Sequence, residues 1–443
     1  MRIALAVPPV EDFYFSPRRA SFLGLHTLIR ILGRYGADYR IFNGVRVKGR
    51  PIPLPEELSH LVPHIGKEFF FKNYYRFGIT VEHLADQIAA FRPDHVFIHS
   101  FAFCYAREAV DLTEACRKRL PKSLIVLGGA GPAVYPEYYL KRSSCDYVAG
   151  AEAERILPVY LKNPVAAPGL HFRNKTPIGL KESSPGPGFE PVMVSMGNRG
   201  NIDYYSTMVT RGCPHHCSFC SVKQQFPGFR KAGRDAVSSL FQSLDRNNWS
   251  HVNFEDDNLT HDFIYLRELL ELLKHHSGNR YSFSMENGTS FHNLDGEKIE
   301  ILKGYHLRQL NLSLISLHKE TLKDMRRDYD EGDFRAIVNI CHSADIPVIA
   351  YLISGLPGET EDDVRKGLEY LRMLRVRIGL STFYPVPGIQ GYEDRSFFDH
   401  HSPKLFAGSS FYPWHDISTD GLVNLFIEAR RLTLMGDEQR GTA

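Results

Sequence analysis

From Met1 to about Lys162, short β-rich apolar runs alternate with stretches of helical periodicity. The pattern predicts βα units wound into a parallel sheet. Ile3 to Val7 reads as the first strand, and Ala20 to Tyr35 as an amphipathic helix stopped by Gly36. Tyr39 to Phe42, His95 to His99, Leu124 to Leu127 and Tyr147 to Ala149 read as further strands. Val81 to Phe91, ending near Pro93, and Ala106 to Leu120 read as helices between them. A doubly wound sheet closes such a pattern, and these sheets bind ligands at the carboxyl ends of their strands. Residues 163–203, with the run Ser183-Ser184-Pro185-Gly186-Pro187-Gly188, are rich in Pro and Gly and predict a linker. Alternation then resumes. Tyr205 to Val209, His251 to Phe254, Tyr281 to Met285, Gln309 to Leu314, Pro347 to Ile353 and Arg377 to Thr382 predict strands, with helices such as Asp262 to His276 and Asp362 to Leu374 between them. Successive βα units of this kind predict a barrel or partial barrel over 204–390, its chemistry at the strands' C-terminal ends. Residues 391–443 read as a C-terminal extension with one amphipathic helix near Leu422 to Leu432.

Composition narrows the function classes. The chain has 443 residues, 43% of them hydrophobic and 23% charged, enough for a sizeable core and against wholesale disorder. With 53 Lys+Arg against 51 Asp+Glu, the net charge of +2 gives no global excess for non-specific nucleic-acid binding. No apolar run approaches the ~20 residues of a membrane span. The N-terminal apolar run is stopped by Pro8 and Pro9, so it is not a signal-peptide core. These features predict a soluble, cytoplasmic protein, and the seven unevenly spaced cysteines suit a reducing compartment.

Three of those cysteines carry the chemistry. Cys213, Cys217 and Cys220 stand at C-x3-C-x2-C spacing directly after a predicted strand. Soft thiolates so spaced bind zinc or an iron-sulfur cluster. A zinc site needs four ligands, so His215 or His216 would have to complete it. A 4Fe-4S cluster with three protein ligands leaves one iron open to a substrate or cofactor. On the zinc reading the protein is a metal-stabilised binding protein; on the cluster reading it is an enzyme.

The run from Cys213 to Cys220, with Phe219 before the last cysteine, resembles the radical S-adenosylmethionine (radical SAM) superfamily over about residues 205–390. The resemblance implies that the open iron chelates the amino and carboxylate groups of SAM. The reduced cluster then passes an electron to the sulfonium, releasing methionine and a 5'-deoxyadenosyl radical. It places Phe219 near the adenine. It also assigns Asp256 and Asp257, in Phe254-Glu-Asp-Asp-Asn-Leu-Thr260, to the methionyl amino group; the plainer reading is an acidic turn capping the next helix. Glu286 and Ser313 fall where relatives hold the ribose or the methionyl carboxylate. The run Gly355-Leu-Pro-Gly-Glu-Thr360 matches a family motif in which Gly355 lets backbone approach the nucleoside; a simple strand-to-helix turn capped by Thr360 fits equally.

In the N-terminal region, Leu127-Gly128-Gly129-Ala130-Gly131 and Asp146-Tyr-Val-Ala-Gly150 resemble the cobalamin-binding, Rossmann-like domain that precedes many radical SAM barrels. The resemblance implies a cobalamin approached by Gly128 and Gly129. Lacking an Asp-x-His-x-x-Gly motif, the cobalt is expected without a histidine ligand.

The combined expectation is a cobalamin-dependent radical SAM methyltransferase acting on an unactivated carbon of a small-molecule or lipid substrate, with flavodoxin or ferredoxin as electron donor. The alternative is a non-methylating rearrangement, cyclisation or oxidation. A tRNA methylthiotransferase fits less well, because no second cysteine trio precedes the barrel and no basic RNA-binding domain follows it. Arg326-Arg327 and the series Lys223, Arg230, Lys231 and Arg234 read as a solvated basic face, and Phe69-Phe70-Phe71, Tyr74 and Tyr75 as core.

Overall fold

The computed structural model describes residues 1–15, 21–173, 189–244 and 247–441, with side chains to residue 434. The run from Ser183 to Gly188 lies outside the described residues. The chain forms two compact units. The first comprises Met1–Gly66, Phe71–Pro185 and Tyr384–Ser410, and the second Lys67–Phe70, Gly186–Phe383 and Phe411–Ala443.

The first unit is built on a six-stranded sheet. Its order is Asp38–Asn43, Arg2–Val7, His95–His99, Leu124–Gly128, Tyr147–Ala149 and Leu170–His171. The first five strands are parallel, in chain order 2-1-3-4-5, and the sixth is antiparallel. Arg2–Val7 lies in the interior of the sheet, where both faces are covered, and its residues from Ile3 onward are buried, as the unbroken apolar run requires. Helix Leu23–Arg34 packs Leu25, Ile31 and Leu32 into the same core as Leu5 and Val7. Helix Val81–Phe91 starts at Thr80, whose hydroxyl accepts the His83 N–H at 3.3 Å, and stops at Arg92 in the left-handed region just before Pro93.

Between strands, a small antiparallel sheet forms from Val10–Asp12, Tyr74–Phe77 and Arg50–Ile52, where the sequence predicted only loose chain. Of the aromatics expected as core, Phe70 and Tyr74 are buried, and Phe69, Phe71 and Tyr75 are partly exposed. Tyr384–Ser410 completes this unit: Phe103 meets Phe398 and Phe406 edge-on or tilted within 6 Å. Lys404 reaches inward to an ion pair with Glu108, both side chains about 95% buried (4% and 5% exposed). Its ammonium also donates to the Glu11 carbonyl at 2.8 Å.

The second unit holds six parallel strands: Ile202–Thr207, Trp249–Phe254, Tyr281–Ser284, Leu310–Ile315, Val348–Ser354 and Arg377–Thr382. They pair as two arcs of three, joined by isolated parallel bridges Phe283–Leu307 and Thr289–Leu312, and this is the open partial barrel expected. One edge is covered by Met193–Arg199, which pairs antiparallel with the first strand. At the other edge the hydroxyl of Thr433, on helix Thr419–Gly441, lies within 3.3 Å of both the N–H and the carbonyl of Ile378.

The expected linker thus supplies a strand to each unit, Leu170–His171 to the first and Met193–Arg199 to the second. Residues 391–443, expected as one extension, divide between the units at Ser410 and Phe411.

Candidate functional site

The three cysteines lie on an excursion that leaves the first barrel strand and is closed by Thr210–Arg211 pairing antiparallel with Arg230–Lys231. Gly212 opens it with φ +81°, and a Cβ there would collide with the Gly228 carbonyl, so the crossing needs glycine. Arg211 is buried with its guanidinium 4.2 Å from the Phe189 ring.

The excursion is sewn down from two sides. From the end of the second strand, Asp256 accepts the N–H groups of Val209 and Thr210 and the Thr210 hydroxyl, the last at 2.6 Å. Burial pushes its carboxyl up to about 7 while the Thr210 bonds pull it back. Asp257 accepts the Gly212 N–H through Oδ2 at 3.1 Å, and burial pushes it up to about 6. Asn258, 2% exposed, points its amide nitrogen at the Cys213 sulfur at 3.7 Å. From the other side, the Ser218 N–H donates to the Met325 carbonyl at 3.2 Å and its hydroxyl to the Asp324 carbonyl at 2.8 Å. A turn from the Cys217 carbonyl to the Cys220 N–H gathers the thiols.

The thiols feel one another. Burial raises all three, Cys220 to about 11, and each is raised further by a neighbouring thiol or by Asp257. Arg327 opposes this: its charge draws Cys213 and Cys217 toward the thiolate. Arg327 is only 8% exposed, its Nε has no hydrogen-bond partner, and its Nη2 makes a long 3.4 Å bond to the Ser313 carbonyl. The expectation of a solvated face therefore holds for Lys223, Lys231, Arg234 and Arg326, all exposed, holds only in part for the half-buried Arg230, and fails for Arg327. Arg326 adopts φ +54°, and this reversal at the end of helix Lys319–Asp324 separates the two neighbours.

The other expected residues divide. Phe219 is partly buried within the cysteine excursion. Glu286 and Ser313 flank Gly288, where a Cβ would lie 3.0 Å from the Ser313 hydroxyl and 3.1 Å from the Tyr351 ring. The Glu286 carbonyl accepts from Tyr351 at 2.8 Å and Asn311 at 3.1 Å, and Ser284 reaches its carboxylate at 3.3 Å. Gly355 is required by its own backbone, at φ +81°, and a Cβ there would meet Leu422 at 3.1 Å rather than a ligand-sized space. Glu359 holds this turn: 1% exposed and pushed up to about 7 by burial, it accepts the Ser316 hydroxyl at 2.6 Å. Thr360 then caps helix Glu361–Met373 in a reciprocal box with Asp363, as the plainer reading anticipated.

In the first unit, Gly129 has φ +116°, and a Cβ would collide with the Ser100 carbonyl and crowd the His99 ring. Gly128 meets nothing nearer than Ala149 at 3.6 Å. Protein atoms, not an open approach, explain Gly129.

Sequence reasoning missed Arg327, Asn258 and Glu359 as parts of the site. Asn258 and Glu359 stood inside runs already singled out, so their positions were legible; Arg327 carried no signal beyond its charge. Among the described residues no three His, Cys, Asp or Glu side chains converge on one metal-ion position, as a zinc site completed by His215 or His216 would require. Three thiolates that each take a different iron of a cubane need no such convergence, so the donor set suits the cluster.

Comparisons with known proteins agree with this geometry. Residues 207–371 match the Radical SAM superfamily. A tRNA-2-methylthio-N(6)-dimethylallyladenosine synthase of Corynebacterium jeikeium is 28% identical over 209 residues, covering 42% of this chain and 39% of the relative. The bacteriochlorophyllide d C-12(1)-methyltransferase of Chlorobaculum tepidum is 25% identical over 194 residues, covering 42% and 41%. The curated matches span 38 to 60% of the relatives' own lengths. Among solved structures, TsrM of Kitasatospora setae, a radical S-adenosylmethionine methyltransferase with cobalamin and a 4Fe-4S cluster bound, superposes with a TM-score of 0.64 at 15% identity, covering 88% of this chain and 76% of that one. That likeness extends the shared fold over both units. Residues 207–371, with the cysteine excursion after the first of their strands, are thus similar to a radical SAM domain, and the fold shared with TsrM covers most of the chain.

Proposed function

We propose that the protein is a radical SAM enzyme whose Cys213, Cys217 and Cys220 hold a 4Fe-4S cluster beside bound SAM, and whose first unit holds cobalamin for methyl transfer to an unactivated carbon. When bound, these groups supply the one-electron and methyl-carrying chemistry. The chain's own residues position and screen it. Asp256 fixes the cysteine excursion to the second strand, so Asp257, with Oδ1 uncommitted by its backbone bond, is the carboxylate that accepts the methionyl amino group. Arg327 sets a buried positive charge against the anionic thiolates and the methionyl carboxylate. Glu286 and Ser313 border the nucleoside beside Gly288, and Phe219 covers the adenine. Gly355 shapes the turn after the fifth strand instead of touching the nucleoside. A flavodoxin- or ferredoxin-type protein supplies the electron.

The observation that carries this reading is the cysteine excursion pinned by Asp256, Asp257 and Ser218, with the buried Arg327, whose Nε has no partner, acting on its thiols. The methyl-transfer assignment is supported by the Chlorobaculum methyltransferase and by the TsrM fold. The relatives described as tRNA methylthio-forming enzymes favour a second reading, in which the radical does other chemistry; on that reading we infer that the first unit holds no cobalamin.

Anaerobic reconstitution should give brown protein with about four irons per chain, the content of one cluster. Reduced and given SAM, it should release 5'-deoxyadenosine, and Cys217→Ala should abolish that release. Iron near eight, or undiminished release from the variant, would overturn the assignment. Cobalamin absorbance retained through gel filtration after incubation with hydroxocobalamin separates the first reading from the second.

A further inference from the structure

Closed βα barrels fill their interior with branched apolar side chains. The interior face of this open barrel is polar instead. Alternate residues of a strand share one face, and in the second unit that face carries His251 and Asn253 from the second strand, Ser282 and Ser284 from the third, Asn311 and Ser313 from the fourth and Tyr351 from the fifth. These side chains bond across the strands: His251 to Ser282 and Ser284 at 2.8 and 3.0 Å, Ser284 to Asn253 at 3.2 Å, and Asn311 to the Tyr351 hydroxyl at 2.6 Å.

The network converges on one residue just past the third strand. The Glu286 N–H donates to Asn253 Oδ1 at 3.1 Å, and the Glu286 carbonyl accepts from the Asn311 amide at 3.1 Å and from the Tyr351 hydroxyl at 2.8 Å. Side chains of three strands thus hold the backbone of a single residue. Tyr351 reaches this position because two glycines make way for its ring. Gly379 lies directly opposite it in the sixth strand, where a Cβ would collide with the ring, and at Gly288 a Cβ would lie 3.1 Å from it.

We propose that Tyr351 is a positioning residue for SAM: its hydroxyl fixes the Glu286 backbone so that the Glu286 carboxylate is presented to the ribose hydroxyls. The inference rests on the proposed placement of the nucleoside beside Glu286, and it names what holds that carboxylate in place. A carboxylate on an unanchored loop loses part of its binding energy to its own ordering. Here Tyr351, with Asn253 and Asn311, completes that ordering before the nucleoside arrives.

The test is equilibrium dialysis of cluster-loaded protein against SAM and against an analogue of SAM lacking both ribose hydroxyls. Tyr351→Phe keeps the ring between Gly288 and Gly379 and removes one hydrogen bond, so SAM should bind about fivefold more weakly, with iron content unchanged. The analogue offers the Glu286 carboxylate no hydroxyl and should bind parent and variant alike. Gly379→Ala pushes the same ring from the opposite strand and should reproduce that pattern, which keeps the test intact if Tyr351→Phe does not hold its cluster. Equal weakening of both ligands means a general effect on the fold and overturns the inference, as does SAM affinity that neither variant changes. An analogue that the parent binds as tightly as SAM removes the ribose contact and overturns the inference too, with SAM binding left standing. Parent protein that binds neither ligand overturns the SAM reading itself.

Discussion

At the carboxyl ends of the second unit's strands, buried polar atoms lack close protein partners: Arg327 Nε is unsatisfied, and the Asn258 amide nitrogen has a long contact to the Cys213 sulfur. At the matching ends of the first unit, the glycine-rich turn is filled by its own surroundings. Ser100, His99, Ala102 and Tyr139 occupy the space beside Gly129 and Gly131, and Ser100 and Tyr139 bond each other at 2.9 Å. Both edges looked alike in sequence, each a glycine run after a strand. The difference teaches that a glycine reports only that something is close, whereas a buried polar atom without a partner reports that something is missing.

The largest expected effect tests the second unit's edge. Asp256→Ala leaves the N–H groups of Val209 and Thr210 buried without an acceptor, which should cost about 2–4 kcal/mol. Urea unfolding should show the loss, and reconstituted iron should fall with it; unchanged iron would mean that the excursion holds without its clamp. Next comes the first unit's edge. Gly129→Ala forces a Cβ into the Ser100 carbonyl at a strained φ and should cost about 2–3 kcal/mol, while Gly128→Ala, with open space, should stay within about 0.5 kcal/mol. Equal effects in thermal melts would erase the asymmetry. Arg327→Gln removes the unsatisfied charge and should weaken SAM binding at least tenfold, about 1.4 kcal/mol, with iron content unchanged. Equilibrium dialysis with radiolabelled SAM decides it.

The smallest effect concerns His251, 2% exposed in the barrel interior. Burial holds it near pKa 4, below the ~6.5 of an unfolded histidine. Between those values the unfolded chain binds a proton that the folded chain refuses, so stability falls as pH drops through the window. The change from pH 7 to 5 should therefore be smaller in His251→Gln than in the parent, by about 1–2 kcal/mol, read from urea midpoints.

Much of the fold was legible because apolar strand runs alternate with helical periodicity. The strands His95–His99 and Arg377–Thr382 and the helix Val81–Phe91 match their predicted bounds end for end. The antiparallel strands were not legible. Val10–Asp12 and Arg50–Ile52 are three residues each, too short to show a period of two, and Met193–Arg199 emerges from a stretch whose Pro and Gly content masked it. At the site, the cysteines could be read from spacing alone. The roles of Asp256 and Gly355 could not, since each depends on which backbone group or side chain the fold brings alongside. Arg327 is the plainest case: burial, not residue type, makes a guanidinium part of a site.

The pairing of Glu108 with Lys404 spans 296 positions. The sheet strands of the first unit all lie before residue 172, so the ribosome releases them early, yet the cation that neutralises a carboxylate beneath them emerges only after the whole barrel. Until then Glu108 would be a buried, uncompensated acid, a state proteins avoid by staying open or by binding a proton. Order of synthesis and order of completion therefore diverge: the unit begun first is completed only after the barrel strands of the second have been made, and any nascent chain stalled before residue 404 exposes an incomplete first unit to chaperones and proteases.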